Sequence, residues 1–553
     1  MPGQGLPTFP VASAPRVADD VALTAPTDDS GKWVISAGAT HYYRAGADLV
    51  ELLGALDGRR GVDDIVAALG DRWSHERVLA GLEVARRMEL LDGSDDDRQT
   101  LDGRRVKFVP PLTVQIALTR RLDRTFDALL AAARPLAALP RRPGLVVLAA
   151  VTVVAMICWA AQIGATLDAL AGTLTIAEIL VVLAVSLVGT AVHEFAHGLA
   201  LKAQGGRVNR MGIMVFYLMP AFFCDISDAW TLPRPAQRVR VALAGITVQC
   251  SVFGITSIAA AGAWAAGADG IQRVLLLIAL TNIAMALINL IPFVKLDGYI
   301  ALMSWCDVNQ LRERSMRLVS DRSLAILYGA RVPPTPGVAR WRWWYGAGCM
   351  IFPVVVIVAA LGNWRGALAG LGVIGAVVLA LVSLYLILVV GTLVLRGLRR
   401  ARDFGAALPR MIAVTGAVVL ALGAAALLIR TDETVDGSFV TADGTTYLVS
   451  TDAAVLDALR AGQSVALREN GIVLHRDVAS GELSGDRLAR DVPLTALLPV
   501  GGLDLDVPAT WVRIDGVDAP RVLDGLAEVT VGRVSLARSL VDRFVWPTAL
   551  GRW

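Results

Sequence analysis

The stretch IAEILVVLAVSLVGTAVHEFAHGLALKAQGG, residues 176–206, opens as an apolar run and then carries His193, Glu194 and His197 inside it. About 20 apolar residues cross the hydrocarbon of a bilayer, and ionisable side chains placed there are costly unless they serve a purpose. The spelling is H-E-x-x-H. A separation of four sets both imidazoles on one face of a helix, where they grip a single ion, and leaves Glu194 beside the ion's open position. The alternative is a chance match on an ordinary helix, which has to place two of the chain's five histidines mid-span by accident.

Zinc held in this way needs a third protein ligand and one free position for water. IALTNIAMALINLIPFVKLDGYIALMSW, residues 278–305, offers Asp297 just beyond an apolar span. The tripeptide Leu-Asp-Gly decides nothing, since it recurs from Leu56, Leu91, Leu101 and Leu523. Depth decides more. With the two spans entered near Ile176 and Val274, His193 and Asp297 lie roughly 25 and 35 Å along their helices, both near the far side of a core about 30 Å thick. Pro292 breaks the second helix and turns Asp297 inward. A metal so held lowers the pKa of its water and polarises a carbonyl, while Glu194 moves the proton. Asn282 and Asn289 share one helix face, and an amide in lipid needs a partner. Asn289 is a candidate for orienting a substrate backbone or the metal loop, with helix packing an equal alternative; for Asn282 packing is favoured.

The whole composition agrees with a membrane. A chain of 553 residues exceeds one core, and 55% hydrophobic against 18% charged residues is far from soluble averages; mean hydropathy is +0.58. Seven stretches are long enough to span: 144–163, 176–199, 241–266, 274–294, 344–361, 367–395 and 409–429. Their flanks alternate. Arg104, Arg105 and Lys107 precede the first, Lys202, Arg207 and Arg210 follow the second, Arg312, Arg314 and Arg317 the fourth, and Arg396, Arg399 and Arg400 the sixth. The loops between carry no basic residue, Arg273 alone and Arg365 alone. The positive-inside rule then predicts a cytoplasmic amino terminus and an extracytoplasmic carboxyl terminus. No basic start with an apolar run opens the chain, so a cleavable signal peptide is not expected. All five cysteines lie in the apolar middle, against a disulfide framework or a cysteine zinc site.

The expected fold is an α-helical multi-pass membrane protein of about seven spans, with a small N-terminal α+β winged-helix-like domain (1–95) and a C-terminal β-rich soluble domain (431–553). A basic linker (96–143) leads to the membrane domain (144–430). In the first domain VALTA, KWVIS and THYYR, from Val21, Lys32 and Thr40, read as strands divided by DDSG and SAGA turns. ADLVELLGALDG, VDDIVAALGDRW and SHERVLAGLEVARRMELL read as helices, the last capped by Ser74. DGSDDDRQ, from Asp92, is a polar boundary. In the last domain Asn470-Gly471 signals a hairpin, His475 is an ordinary surface or strand histidine, and no catalytic set is visible. MGIMVFYLMPAFFCDISDAW, 211–230, is broken by Pro220 and ends in Asp225 and Asp228. It reads as a re-entrant or β-hairpin segment beside the site, or else as an amphipathic surface segment.

HEFAH in one span with NLIPFVKLDGY in a later one resembles the site-2 protease group, the M50 membrane metallopeptidases. CDISDAWTLPRPAQRVRVALAG, from Cys224, is similar to a segment of its bacterial peptide zinc metalloprotease branch. The resemblance covers about 180–310 and implies zinc on His193, His197 and Asp297 with Glu194 as base. Relatives often have proline after Ala244-Gly245, where this chain has Ile246. KWVIS, HYYRAG and LLGALDGRRGVDDIVAAL resemble PqqD-like domains that recognise leader peptides; a plain winged-helix regulatory domain is the alternative. Such domains take a peptide as an added strand, here beside Thr40–Arg44 with Tyr42 and Tyr43, under a helix from His75 to Leu90.

Together these predict a zinc metalloendopeptidase of a bacterial cytoplasmic membrane. Its partners would be a precursor peptide with a leader and the lipid bilayer, with no nucleic acid. Daptide-type pathways pair such a protease with such precursors. The rival is a non-catalytic peptide export or immunity component on a protease scaffold. A di-iron oxidase is discounted, because His41, His75 and His475 lie far from the span.

Overall fold

The computed structural model describes residues 14–541 apart from 20, 26–32, 38–40, 89, 93–105, 110–112, 120–122, 138–140, 209, 217–218, 334–337, 370–372, 452–455, 458, 470, 472–474, 498–499, 502–504 and 518–521. The DDSG turn, most of the Asp92 boundary and Asn470 of the hairpin signal lie outside the described residues. The chain packs as two units: 1–154 with 185–255 and 281–309, and 155–184 with 256–280 and 310–553.

The first unit begins with an antiparallel sheet in the order β1 (Val21–Thr24), β2 (Trp33–Ala37), β3 (His41–Ala45). Behind it lie α1 (Ala47–Ala55), α2 (Val62–Leu69) and α3 (His75–Arg87). Ile35, Leu52, Ile65, Val78 and Leu82 form a fully buried core, drawn from one strand face and the apolar stripes of the helices. The Ser74 hydroxyl accepts the Arg77 N–H and so caps α3. In β3, Tyr42 pairs with Ser36 and Tyr43 with Ile35, and Tyr43 is half-buried against that core. β3 is an edge strand that lies beside a short 3-10 turn, Ser227–Thr231.

The segment expected to be a linker is instead built into the membrane domain. It forms β4 (Val106–Val109), β5 (Thr113–Thr119) and α4 (Asp123–Ala137). The runs VKFV and TVQIALT are β-favouring and pair outward onto a hairpin from 211–224.

In the second unit the first expected span is broken. α5 (Arg141–Ala161), which starts in the first unit, and α6 (Ile163–Ala171) meet at a bend of 58°. Gln162 sits at the break with its amide buried, donating to the Cys158 and Ser257 carbonyls and accepting from Gln272. A side chain that takes over carbonyls of its own helix kinks it there.

Beyond β6 (Leu174–Thr175) comes α7 (Ile176–Ala203), then the hairpin β7 (Met211–Phe216) and β8 (Met219–Cys224). The remaining helices are α8 (Pro235–Ala265), α9 (Asp269–Leu290), α10 (Asp297–Trp305), α11 (Leu311–Tyr328), α12 (Trp341–Ala369), α13 (Val373–Asp403) and α14 (Leu408–Leu428). Among the described residues six helices, α7, α8, α9, α12, α13 and α14, are long and apolar enough to cross a membrane, and the bent α5–α6 pair makes seven if it is one span.

The C-terminal part is a closed antiparallel barrel. It uses β9 (Arg430–Ala442), β10 (Thr445–Ser450), β11 (Ser464–Glu469), β12 (Asp477–Pro493), β14 (Asp506–Asp515) and β15 (Asp524–Ser535), ordered β10-β14-β12-β11-β15-β9. A short α15 (Leu494–Leu497) and β13 (Val500–Gly501) sit between β12 and β14, and α16 (Leu536–Leu540) follows. Phe439, Leu448, Val465, Leu467 and Val529 fill its interior. Closure removes the exposed strand edges a six-stranded sheet would otherwise present.

β13 pairs in parallel with β6, and Arg476 reaches Asp168 at 2.8 Å. Residues 174 and 500 therefore share one side, and the six apolar helices between them satisfy this, because an even number of crossings returns the chain to the face it left. In a chain freed of its native cysteines, Thr173→Cys and Ser480→Cys should both react with a membrane-impermeant maleimide from the same side of sealed vesicles. Reaction from opposite sides would contradict the helix count.

Candidate metal centre

α7 supplies the imidazoles. One helical turn separates His193 from His197, and both are buried, at 4% and 2% exposure. α9 ends at Leu290, the Pro292 segment breaks it, and Asp297 opens α10. That break returns the carboxylate to α7.

The three side chains meet at one point. His193 Nε2 lies 3.2 Å from His197 Nε2 and 3.1 Å from Asp297 Oδ2, and His197 Nε2 lies 3.2 Å from the same oxygen. An ion equidistant from three such corners of a tetrahedron sits about 1.9–2.0 Å from each, close to the roughly 2.0–2.2 Å of zinc–nitrogen and zinc–carboxylate bonds. The donor chemistry agrees. His197 Nδ1 lies 2.8 Å from the Val241 carbonyl; donating its proton there leaves Nε2 as a lone pair, as metal-binding histidines usually are. Two imidazole nitrogens and a carboxylate oxygen this close can share a proton or, with their lone pairs free, a metal cation. These residues therefore fit a metal, and two imidazoles with one carboxylate leave zinc a free fourth position.

Glycines make the approach possible. A Cβ on Gly245 of α8 would overlap the His193 ring, and a Cβ on Gly298 would overlap the Leu290 backbone against which α10 is seated. Gly198 faces the fully buried Phe126 of α4, whose ring lies 5.5 Å from that of Phe195. His193 Nδ1 is buried without a hydrogen-bond partner among the described residues, so packing on Gly245 seats that ring.

Glu194 stands beside the triangle. Its Oε1 is 4.0 Å from His193 Nε2, and its Oε2 accepts the Cys224 N–H at 2.8 Å. Cys224 ends β8, the edge strand of the sheet β4-β5-β7-β8. The base of that hairpin is closed by Arg210 and Asp225, 3.3 Å apart and both largely buried, with the Asp225 N–H on the Arg210 carbonyl. The 211–230 stretch is thus a β-hairpin and a 3-10 turn.

Asn289 lies away from this triangle, its amide donating to Gln249 of α8 at 3.2 Å, and Asn282 is buried beside Gly189. Tyr42 and Tyr43 stay on β3; of Tyr42 only the backbone is described. Sequence reasoning missed Gly245, Gly298, the Cys224 N–H and the β4–β5 pair. Two signals were available: the glycine in Leu-Asp-Gly, and two alternating β-branched runs in the supposed linker.

Comparison of the chain with protein families, with curated proteins and with solved structures gives no match in any of the three.

Gly245→Ala and Gly298→Ala should each displace one ligand. Overpacking of this kind costs about 1–3 kcal/mol, and zinc affinity should fall roughly 10- to 100-fold with helix content unchanged. Zinc per chain after gel filtration, with circular dichroism, checks both.

Proposed function

We propose that the chain is an intramembrane zinc metalloprotease that cuts a peptide presented as an extended strand, and that this peptide carries the leader of a ribosomally made, modified precursor. The observation that carries the reading is the meeting of His193, His197 and Asp297 beside a carboxylate held by a strand edge. When bound there, zinc would polarise the scissile carbonyl and acidify a water.

The chain's own residues do the rest. Glu194 takes the proton of the attacking water and returns it to the departing amide nitrogen. The Cys224 N–H fixes Oε2, so Oε1 faces the reacting side. A helical peptide hides its carbonyls in its own hydrogen bonds, so the substrate has to be extended at the cut. β8 ends at the residue that bonds Glu194 and is a sheet edge; a peptide added to it by main-chain hydrogen bonds would pass the base. β3, the expected capture edge, lies beside the turn that follows β8, and this supports a route from recruitment at β3 to delivery at β8. The basic flanks favour residues 1–143 in the cytoplasm and the barrel outside.

The test is co-expression of candidate precursor peptides with the intact chain or with Glu194→Gln, read by mass spectrometry. Only the intact chain should trim the peptide; Glu194→Gln should keep its zinc and cut on the order of 10²–10⁴ times more slowly. Equal trimming by both would sink the catalytic assignment. Deleting residues 1–95 should weaken processing without loss of zinc, and unchanged processing would remove the recruitment role.

A further inference from the structure

Arg238 is among the largest side chains that the described residues bury fully, at 1% exposure. Its guanidinium donates to the Leu232 carbonyl at 3.0 Å and to Asp307 Oδ1 at 2.6 Å, and lies 5.4 Å from the Trp230 ring centroid. Replacing a buried ion pair by apolar groups is often neutral or stabilising, so stability alone gives little reason for this one. Its partner is also in an unusual conformation: Asp307 has φ of 52°, the left-handed region that few non-glycine residues occupy.

Spacing along α8 gives the reason. Arg238, Val241 and Gly245 follow one another by three and four residues, so they form one stripe. The Val241 carbonyl orients His197, and Gly245 seats His193. Arg238, the third member, reaches the loop that closes α10, the helix that opens with Asp297. α10 is nine residues long, so its far end lies about 13 Å from the ligand. Its near end rests on Leu290 through Gly298. Tyr299, Met303 and Ser304 bury one side of α10, and the Arg238–Asp307 pair ties down the loop at its far end.

We propose that Arg238 is a positioning residue for the third metal ligand: by pairing with Asp307 it fixes the tilt of α10 and keeps Asp297 on the metal. The stripe on α8 then sets all three ligands. This inference rests on the metal reading of the site.

The experiment measures zinc affinity of the purified full chain by competition with a chromophoric chelator. The double variant Arg238→Met/Asp307→Gly removes both charges and puts glycine at the positive φ, so it is the version best suited to fold. Its affinity should fall roughly 10- to 100-fold, with zinc still bound at saturating metal. Asp307→Asn tolerates the same backbone and still accepts a hydrogen bond, so it should fall by less; it decides the matter if the double variant does not fold. Arg238→Lys, which keeps the charge but not the two-way grip, should recover part of the loss. Affinity equal to that of the unaltered chain in the double variant, or in Asp307→Asn, overturns the proposal even if the melting temperature drops, because the pair is then structural only. Absence of zinc binding by the unaltered chain overturns the metal centre itself.

Discussion

Three atoms that each offer a lone pair, two imidazole nitrogens and one carboxylate oxygen, approach within 3.2 Å in a largely apolar helical unit. Their burial is costly unless a proton or a cation is shared among them; a cation held by all three would find them at three corners of a tetrahedron. The first unit is arranged around that requirement. α7 contributes two ligands one turn apart, the chain breaks after Leu290 to bring in the third, and α8 presents small or polar positions where a larger apolar residue would obstruct. Gly245 and Gly298 are therefore demanded by close approach, not by backbone conformation.

The four-stranded sheet answers a different constraint. Strand backbone needs its hydrogen bonds satisfied, and the hairpin β7–β8 has them on one side through β5. Its other side is the edge that ends at Glu194's partner, Cys224. An edge strand usually invites pairing, and here the invitation adjoins the base. In the second unit the buried amides of Gln162 and Gln272 meet each other and the Ser257 carbonyl, which explains why the first apolar segment bends.

The legible parts of the sequence were those governed by short-range rules. H-E-x-x-H fixes a helix face by its spacing, and charge alternation let the second and fourth spans be entered from one side and so led to Asp297. Ser74 was readable as a cap because its three-residue reach is local. What escaped were long-range contacts. VKFV and TVQIALT read as part of a basic linker because, although they pair with each other, the β7 strand that ties them to the rest of the unit lies about a hundred residues away. Asn470-Gly471 suggested one hairpin, and β11 and β12 do pair, but the β10–β14 and β9–β15 pairings that close the barrel leave no local signature. The pairing of Gln162 with Gln272, far along the chain, has no local signature. The burial of Arg238 against Asp307 is likewise invisible in the sequence.

The most direct test of the metal centre is zinc-edge X-ray absorption on the purified full chain, with zinc and protein quantified in the same sample. The account predicts one zinc per chain in a shell of nitrogen and oxygen at about 2.0–2.2 Å. Lack of stoichiometric zinc, or a sulfur scatterer at about 2.3 Å from a cysteine such as Cys224, would contradict it.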